Sequence, residues 1–445
     1  MAVFRILFFI LHLFSYLCSV KVLFLVYHGF SDVSGISKKI FNQVKGLRQA
    51  GHEVHLCHYS LSDAGHWCRY VDNDAICDYG TGWRAALKRR FDYGCVYHYC
   101  VAHGIELVYA RSFMNASPPL IAFFKRLRKA GIKCVTEIPT YPYDDELRGF
   151  PLRVRMELFI DRLFRRSLAR QMNAMVTFSD ADEIFGCRTI NISNGVDMES
   201  IALHDYHAPA DGSLHLVGVA EVHYWHGFDR LIAGLGEYYK VSSKRAQSSS
   251  LELSSGRKLA EGKVSSKRAQ SSSLELSSGR KIAEGKTATD PSSKKVYFHI
   301  VGGVAESEMH DSIHAPGFAE LIDKYAISDY VIFHGAIYGD ALDDVFNRCA
   351  FAIGSLGRHR SGITVIKTLK NREYATRGIP FIYSEQDNDF DSQPYILKAP
   401  ADESPIDIRA IIDFLDSNIL SPSDIRSTIT HLTWQKQMQT VIDSL

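Results

Sequence analysis

A single carboxylate, Glu373, stands among six cations between Gly354 and Gly378: Arg358, Arg360, Lys367, Lys370, Arg372 and Arg377. Cations gathered on one loop and one helical turn can neutralise a diphosphate, Arg as a planar fork and Lys as a point charge. A carboxylate one turn into a helix can accept two hydrogen bonds from a ribose diol. Position in the fold separates this reading from a solvated charged face. "AFAIGS", upstream, has the length and apolar content of a strand, and "LKNREYATRG" ends in glycine as a helix does. The helix N-terminus therefore points toward the carboxyl end of a strand, where its N–H groups and dipole favour an anion.

A second set of candidates lies in the first half. "YHGFSDVSGISKK" passes from strand to helix through Gly29 and Gly35, which allow close backbone approach and suit a phosphate or sugar hydroxyl. "TEIPTYPYDDEL" follows another strand, and Tyr141, Tyr143 and Asp144 offer ring faces and a carboxylate to a sugar. Asp387, Asp389 and Asp391 open like a calcium loop, but Ser392 and Lys398 stand where that loop needs Gly and Glu. Cys95 and Cys100, near His98 and His103, lack a second close pair for zinc. No metal site is expected.

The elements that must position these residues alternate along the chain. "VKVLFLVY", "HEVHLCHY", "IELVYARS", "IKCVTEI" and "AMVTFS" read as strands, with "GISKKIFNQVKGLRQAG" and "PPLIAFFKRLRKAG" as helices among them. After "NISNGVDMES" the alternation restarts with "SLHLVGVA", "KVYFHIVGG", "YVIFHGA", "CAFAIGS" and "IPFIYS". This predicts an α/β protein of two Rossmann-like, doubly wound domains, 20–200 and 205–425. Residues 426–445 form a C-terminal helix expected to pack back on the first domain. Residues 148–171 carry seven Arg against Glu157 and Asp161 at helical spacing. A buried apolar stripe under a solvated basic face is the favoured reading, and peripheral contact with an anionic membrane is the alternative.

Residues 240–262 recur as 263–285 with one change, Leu259 to Ile282. The segment 240–286 holds eleven Lys/Arg and four Glu in a chain of net charge +1. It is too polar and Ser-rich to bury a core and reads as a disordered insertion in the second domain. It joins a helix to the next strand, at the edge opposite the one where such domains bind ligands. Residues 1–19 are hydrophobic but short for a membrane span. An export signal and an anchor are weighed there, and an extension upstream of the first domain is preferred. The nine cysteines are odd in number and irregularly spaced, which points to reduced thiols in a cytoplasmic protein rather than a disulfide framework.

The chain resembles the GT-B glycosyltransferases, in particular the retaining family-four group, over about residues 20–440 apart from the repeat. The resemblance rests on the Gly-rich first turn with "GLRQAGHEV", on "TINISNGVD", "WHGFDRLI" and "LKNREYATRGIPFI". The last follows the family's Glu-Ala-x-x-x-Gly-x-Pro signature, with Tyr374 for Ala. The resemblance implies two domains facing across a cleft, a nucleotide-sugar donor on the second and a glycan or lipid-linked acceptor on the first. It places Glu373 on the ribose and Gly35 near the donor phosphates. The family's earlier Glu is Val365 here, or Arg360 if the loop is longer. Its Arg and Lys before "G-x-D-x-L-I" are Glu221 and His226. Arg358, Arg360, Lys367 and Lys370 are therefore the substitutes expected to hold the diphosphate. Glu137 is the candidate for contact with the reacting sugar, and Tyr141, Tyr143 and Asp144 for the acceptor.

The function this implies is sugar transfer with retention, in surface polysaccharide synthesis, at the cytoplasm or its membrane face. No cofactor beyond the donor and no nucleic acid is expected. Rival readings are an epimerase or glycogen-type phosphorylase on the same fold, and an exported two-domain ligand-binding protein. The base, the sugar and the acceptor are not encoded in any motif found.

Overall fold

"KVLFL" forms a strand because both of its faces are covered. In the computed structural model, which describes residues 19–31, 34–112, 114–144, 152–242, 294–312, 315–417 and 420–445, this stretch is β1 (Lys21–Leu25). Successive side chains of a strand point to opposite faces. Leu23 and Leu25 enter one core with Val108, Phe124 and Leu127, while Val22 and Phe24 enter another with Ile40, Val44 and Met438. Burial on both sides is what turns an alternating pattern into a continuous apolar run.

Contacts group the chain into two units. One runs to His204 and takes back Arg358–Lys398 and Leu420–Leu445; the other is Asp205–Gly357 with Ala399–Ile419. Arg358–Lys398 belongs by sequence pattern to the second domain. It joins the first unit through Arg372, which bonds Ser193 and Asn194. The predicted extension as far as Cys18, and the repeat from residue 243 on, lie outside the described residues.

The first unit adds β2 (Glu53–Leu61), β3 (Trp67–Val71), β4 (Asp74–Asp78), β5 (Leu107–Arg111), β6 (Lys133–Ile138), β7 (Ala174–Thr177), β8 (Glu183–Ile184) and β9 (Cys187–Asn191). Their order is β4-β3-β2-β1-β5-β6-β7-β9-β8. The run from β2 to β9 is parallel, with β3, β4 and β8 added antiparallel. Its helices include α1 (Gly35–Gln49), α2 (Pro118–Lys129), α3 (Leu152–Ala169), α4 (Leu369–Arg377) and α5 (Trp434–Asp443). A Cβ on Gly46 of α1 would lie 2.6 Å from the Trp434 backbone, so glycine is what lets α5 dock on α1.

In the second unit β10 (Leu214–Val219), β11 (Val296–Val301), β12 (Val331–Gly335) and β13 (Phe351–Ile353) are parallel in the order β12-β11-β10-β13. A helix over 228–242 follows β10. Back in the first unit, β14 (Phe381–Tyr383) and β15 (Ile396–Lys398) pair in parallel after α4. Two parallel-sheet α/β domains are what the alternating pattern predicts.

Candidate functional site

Helix α4 sorts the cationic run into separate environments. Thr368 caps it, its hydroxyl accepting from the Asn371 N–H at 3.3 Å, and Gly378 ends it at φ +82°. Arg372 faces inward and is fully buried. It donates to Asp387 at 3.0 Å, to the Ser193 hydroxyl at 2.7 Å and to Asp389. Asp391 accepts from Tyr383 and pairs with Lys398 at 2.9 Å. The Asp387-x-Asp-x-Asp triplet is thus occupied by the chain's own donors.

Lys370 belongs to a different cluster. Burial, and then the neighbouring Arg358, push its ammonium down to about 7 against the pull of Glu385. Burial pushes the Glu385 carboxyl up to about 7, against backbone N–H groups, Arg358 and Lys370. Glu385 is buried, and its Oε1 has no hydrogen-bond partner among the described residues; nor has the buried hydroxyl of Ser361, on the 3-10 turn Arg358–Ser361 that also carries Arg360. A buried acceptor left unmet costs about 1–3 kcal/mol, so these atoms mark a place where a partner would stabilise the protein. Burial drives both shifts, with Arg358 adding to it at Lys370 and opposing it at Glu385, a pattern found at candidate functional sites.

The remaining cations lie apart from these two. Glu373, about one-third exposed, pairs with Arg377 at 3.2 Å. Lys367 reaches Asp180 at 3.6 Å, and its carbonyl accepts from Asn194. The structure thus brings Arg358 and Lys370 together, with Arg360 on the same turn as Arg358 and Glu373 one turn further along α4. Glu385 was missed in the sequence. Its signal was its place immediately after the strand "IPFIYS", at the carboxyl end where doubly wound domains bind ligands.

One expectation for the first half needs correction. Glu137 is wholly buried and cannot contact a sugar from there. It pairs with Lys39 at 3.3 Å and Arg111 at 3.4 Å, and accepts from Gln43 and Tyr109 at 2.7 Å each. Burial pushes its carboxyl up, but these partners outweigh it and hold the group below its ordinary value. Burial in turn lowers Lys39 to about 8, against the attraction of Glu137. Tyr143 donates to Asp161 at 2.7 Å, and Asp144 is held by Arg165 at 2.9 and 3.1 Å. Both brace the loop against α3, with the Asp144 side chain still partly exposed. Tyr141 sits edge-on to Phe185, 5.8 Å between ring centres. Gly35 is exposed at the α1 N-terminus, and a Cβ there would meet nothing within 4 Å. The chain's own packing makes no demand for glycine at that position.

In the second unit the loops at the carboxyl ends of β10, β11 and β13 converge. Gly302, at φ +120°, lies against the Ala220 carbonyl, and Gly227, at φ +65°, against Leu356. Glu221 is exposed, while His226 is buried and its Nδ1 accepts from the His223 N–H at 3.0 Å. Neither supplies a cation where the resemblance expects Arg and Lys.

The two sheets and their crossovers are the GT-B fold of glycosyltransferases. Its likeness to solved structures spans nearly the whole chain. Trehalose-6-phosphate synthase OtsA matches with a TM-score of 0.52 at 10% identity, over 96% of this chain and 98% of that one. The catalytic domain of starch synthase IV from Arabidopsis thaliana, bound to ADP and acarbose, matches with a TM-score of 0.52 at 11% identity, over 96% and 98%. An E. coli trehalose-6-phosphate structure bound with UDP-2-fluoro glucose gives a TM-score of 0.51 at 10% identity, over 95% and 98%. No family model matches the chain, and no curated protein matches it.

Proposed function

We propose that the protein is a retaining glycosyltransferase that moves a sugar from a nucleotide-diphosphate donor to a glycan or lipid-linked acceptor, in surface polysaccharide synthesis. The observation that carries this reading is the Arg358–Lys370–Glu385 cluster, with the buried Glu385 Oε1 and Ser361 hydroxyl unmet beside two cations. Arg358, Arg360 and Lys370 take the diphosphate, with Lys367 flanking them. Glu373 takes the ribose diol, for which its partial exposure leaves room. Glu385, protonated near neutrality, can donate to a donor oxygen and accept from a sugar hydroxyl. Fixed cations then stabilise the leaving diphosphate as its charge develops, which is electrostatic catalysis that needs no resident metal. Gly35 leaves open space at the α1 N-terminus for the sugar or phosphate.

Nucleotide and sugar-nucleotide ligands in structures of the same fold support the donor class. Among the described residues no helix is long and apolar enough to cross a membrane. The free cysteines support a place in the cytoplasm or at the inner face of its membrane. The test is a panel of UDP-, GDP-, ADP- and dTDP-sugars read by thermal shift. One nucleotide series should raise the melting temperature. No stabilisation by any of them contradicts the reading.

A further inference from the structure

The sequence favours an α3 that buries its apolar stripe, but the structure shows an apolar stripe on the outside. Leu152, Met156, Phe159 and Leu163 are 58–70% exposed, and Ile160 is 43% exposed. At about 100° per residue these five side chains span about 100° of the helix surface. Leu158, Asp161 and Leu168 are buried on the opposite side. A helix of a water-soluble surface has the reverse arrangement, with its apolar stripe facing the core.

The stripe continues onto a neighbour. The helix Gly82–Phe91 exposes Trp83, Leu87 and Phe91 at four-residue spacing. Leu87, Phe91, Leu152, Met156 and Ile160 line one groove of about 560 Å³. Arg90 fastens the two helices by donating to Glu157 at 2.9 Å. Contiguous apolar exposure of this kind marks an interaction surface rather than ordinary scatter.

The charge around the stripe selects the partner. Every described acid on or beside α3 is already engaged: Glu157 by Arg90, Asp144 by Arg165 and Arg162, and Asp161 by Tyr143 and the Ala116 N–H. Arg155 and Arg166 on one flank of the stripe, and Arg84 and Lys88 on the adjoining helix, are exposed with no acidic partner among the described residues. An apolar band rimmed by uncompensated cations complements a surface that is apolar inside and anionic outside. We infer that α3 and the helix Gly82–Phe91 form a docking face for an anionic lipid bilayer, with the apolar stripe in the acyl boundary and the cations at the headgroups. The inference stands independently of the proposed sugar transfer.

The test is co-sedimentation of the full-length protein with vesicles of phosphatidylcholine alone and of phosphatidylcholine mixed with phosphatidylglycerol. Binding to the anionic vesicles is expected, with little to the neutral ones. Phe159→Ser with Leu163→Ser should weaken it by about tenfold or more, because it removes two of the exposed apolar side chains. Arg155→Glu with Arg166→Glu should weaken it while leaving the melting temperature unchanged. Binding undiminished by both pairs, as an anchor in residues 1–18 would give, overturns the inference. So does equal binding to both vesicle types. Concentration-dependent dimerisation abolished by the same pairs, without vesicle binding, overturns it in favour of a second copy of the chain.

Discussion

Arg372 and Lys370 are two residues apart on one helix and have opposite fates. Arg372 is sealed with Asp387 and Asp389, its guanidinium met by carboxylates, a hydroxyl and carbonyls. Lys370 shares a buried cluster with Arg358 and Glu385 in which charge is disfavoured on both sides and Glu385 Oε1 is unmet. The first is a lock that ties α4 to the Ser193–Asn194 loop. The second has the marks of a binding site. Cations that look alike in a sequence differ by whether the fold has already answered them.

Breaking the lock should have the largest effect. Arg372→Ala leaves Asp387 buried without its ion partner and should cost about 3–5 kcal/mol, seen as a lower denaturant midpoint. A smaller loss should come from Gly46→Ala, remote from both clusters. Its Cβ would lie 2.6 Å from the Trp434 backbone, and forcing α5 off α1 should cost about 1–3 kcal/mol. Neither change removes a residue assigned to the donor.

The cluster should respond differently. Lys370 sits below its unfolded value, so in the free protein its burial costs stability as pH falls from the ordinary lysine range toward about 7. Glu385 sits above its unfolded value, so its burial costs stability as pH rises toward about 7. A diphosphate needs Lys370 charged and gains from Glu385 protonated. Donor affinity should therefore fall by about tenfold between pH 6 and pH 8, a loss read by titration calorimetry. At the mild end, Glu373→Ala should cost about 1 kcal/mol, because it removes the partly exposed half of a pair whose Arg377 is buried. The same change should weaken nucleotide binding by about tenfold or more; unchanged affinity would remove Glu373 from the ribose.

Much of the architecture was legible because it is written in periodicity. Long apolar runs such as "VKVLFLVY" state their burial directly. β3, β4 and β8 were not, because they are short, partly polar and antiparallel toward the sheet margins. The site was legible only in outline. The run of cations announced an anion, but which of them are spent internally depends on carboxylates 15–17 residues away, Asp387 and Asp389. Glu137 was misread for the same reason: its position after a strand suggested exposure to ligand, while Lys39, Arg111, Gln43 and Tyr109 converge on it from separate elements. Exposure on α3 was hidden too, since a helical period reports a stripe but not which side faces water.

The most direct measurement is the affinity of Lys370→Ala for whichever nucleotide diphosphate stabilises the wild-type protein. A loss of about tenfold to a hundredfold at an undiminished melting temperature is expected, the size of one charge-assisted contact. Affinity equal to wild type in a folded Lys370→Ala protein would contradict the assignment of this cluster as the donor site.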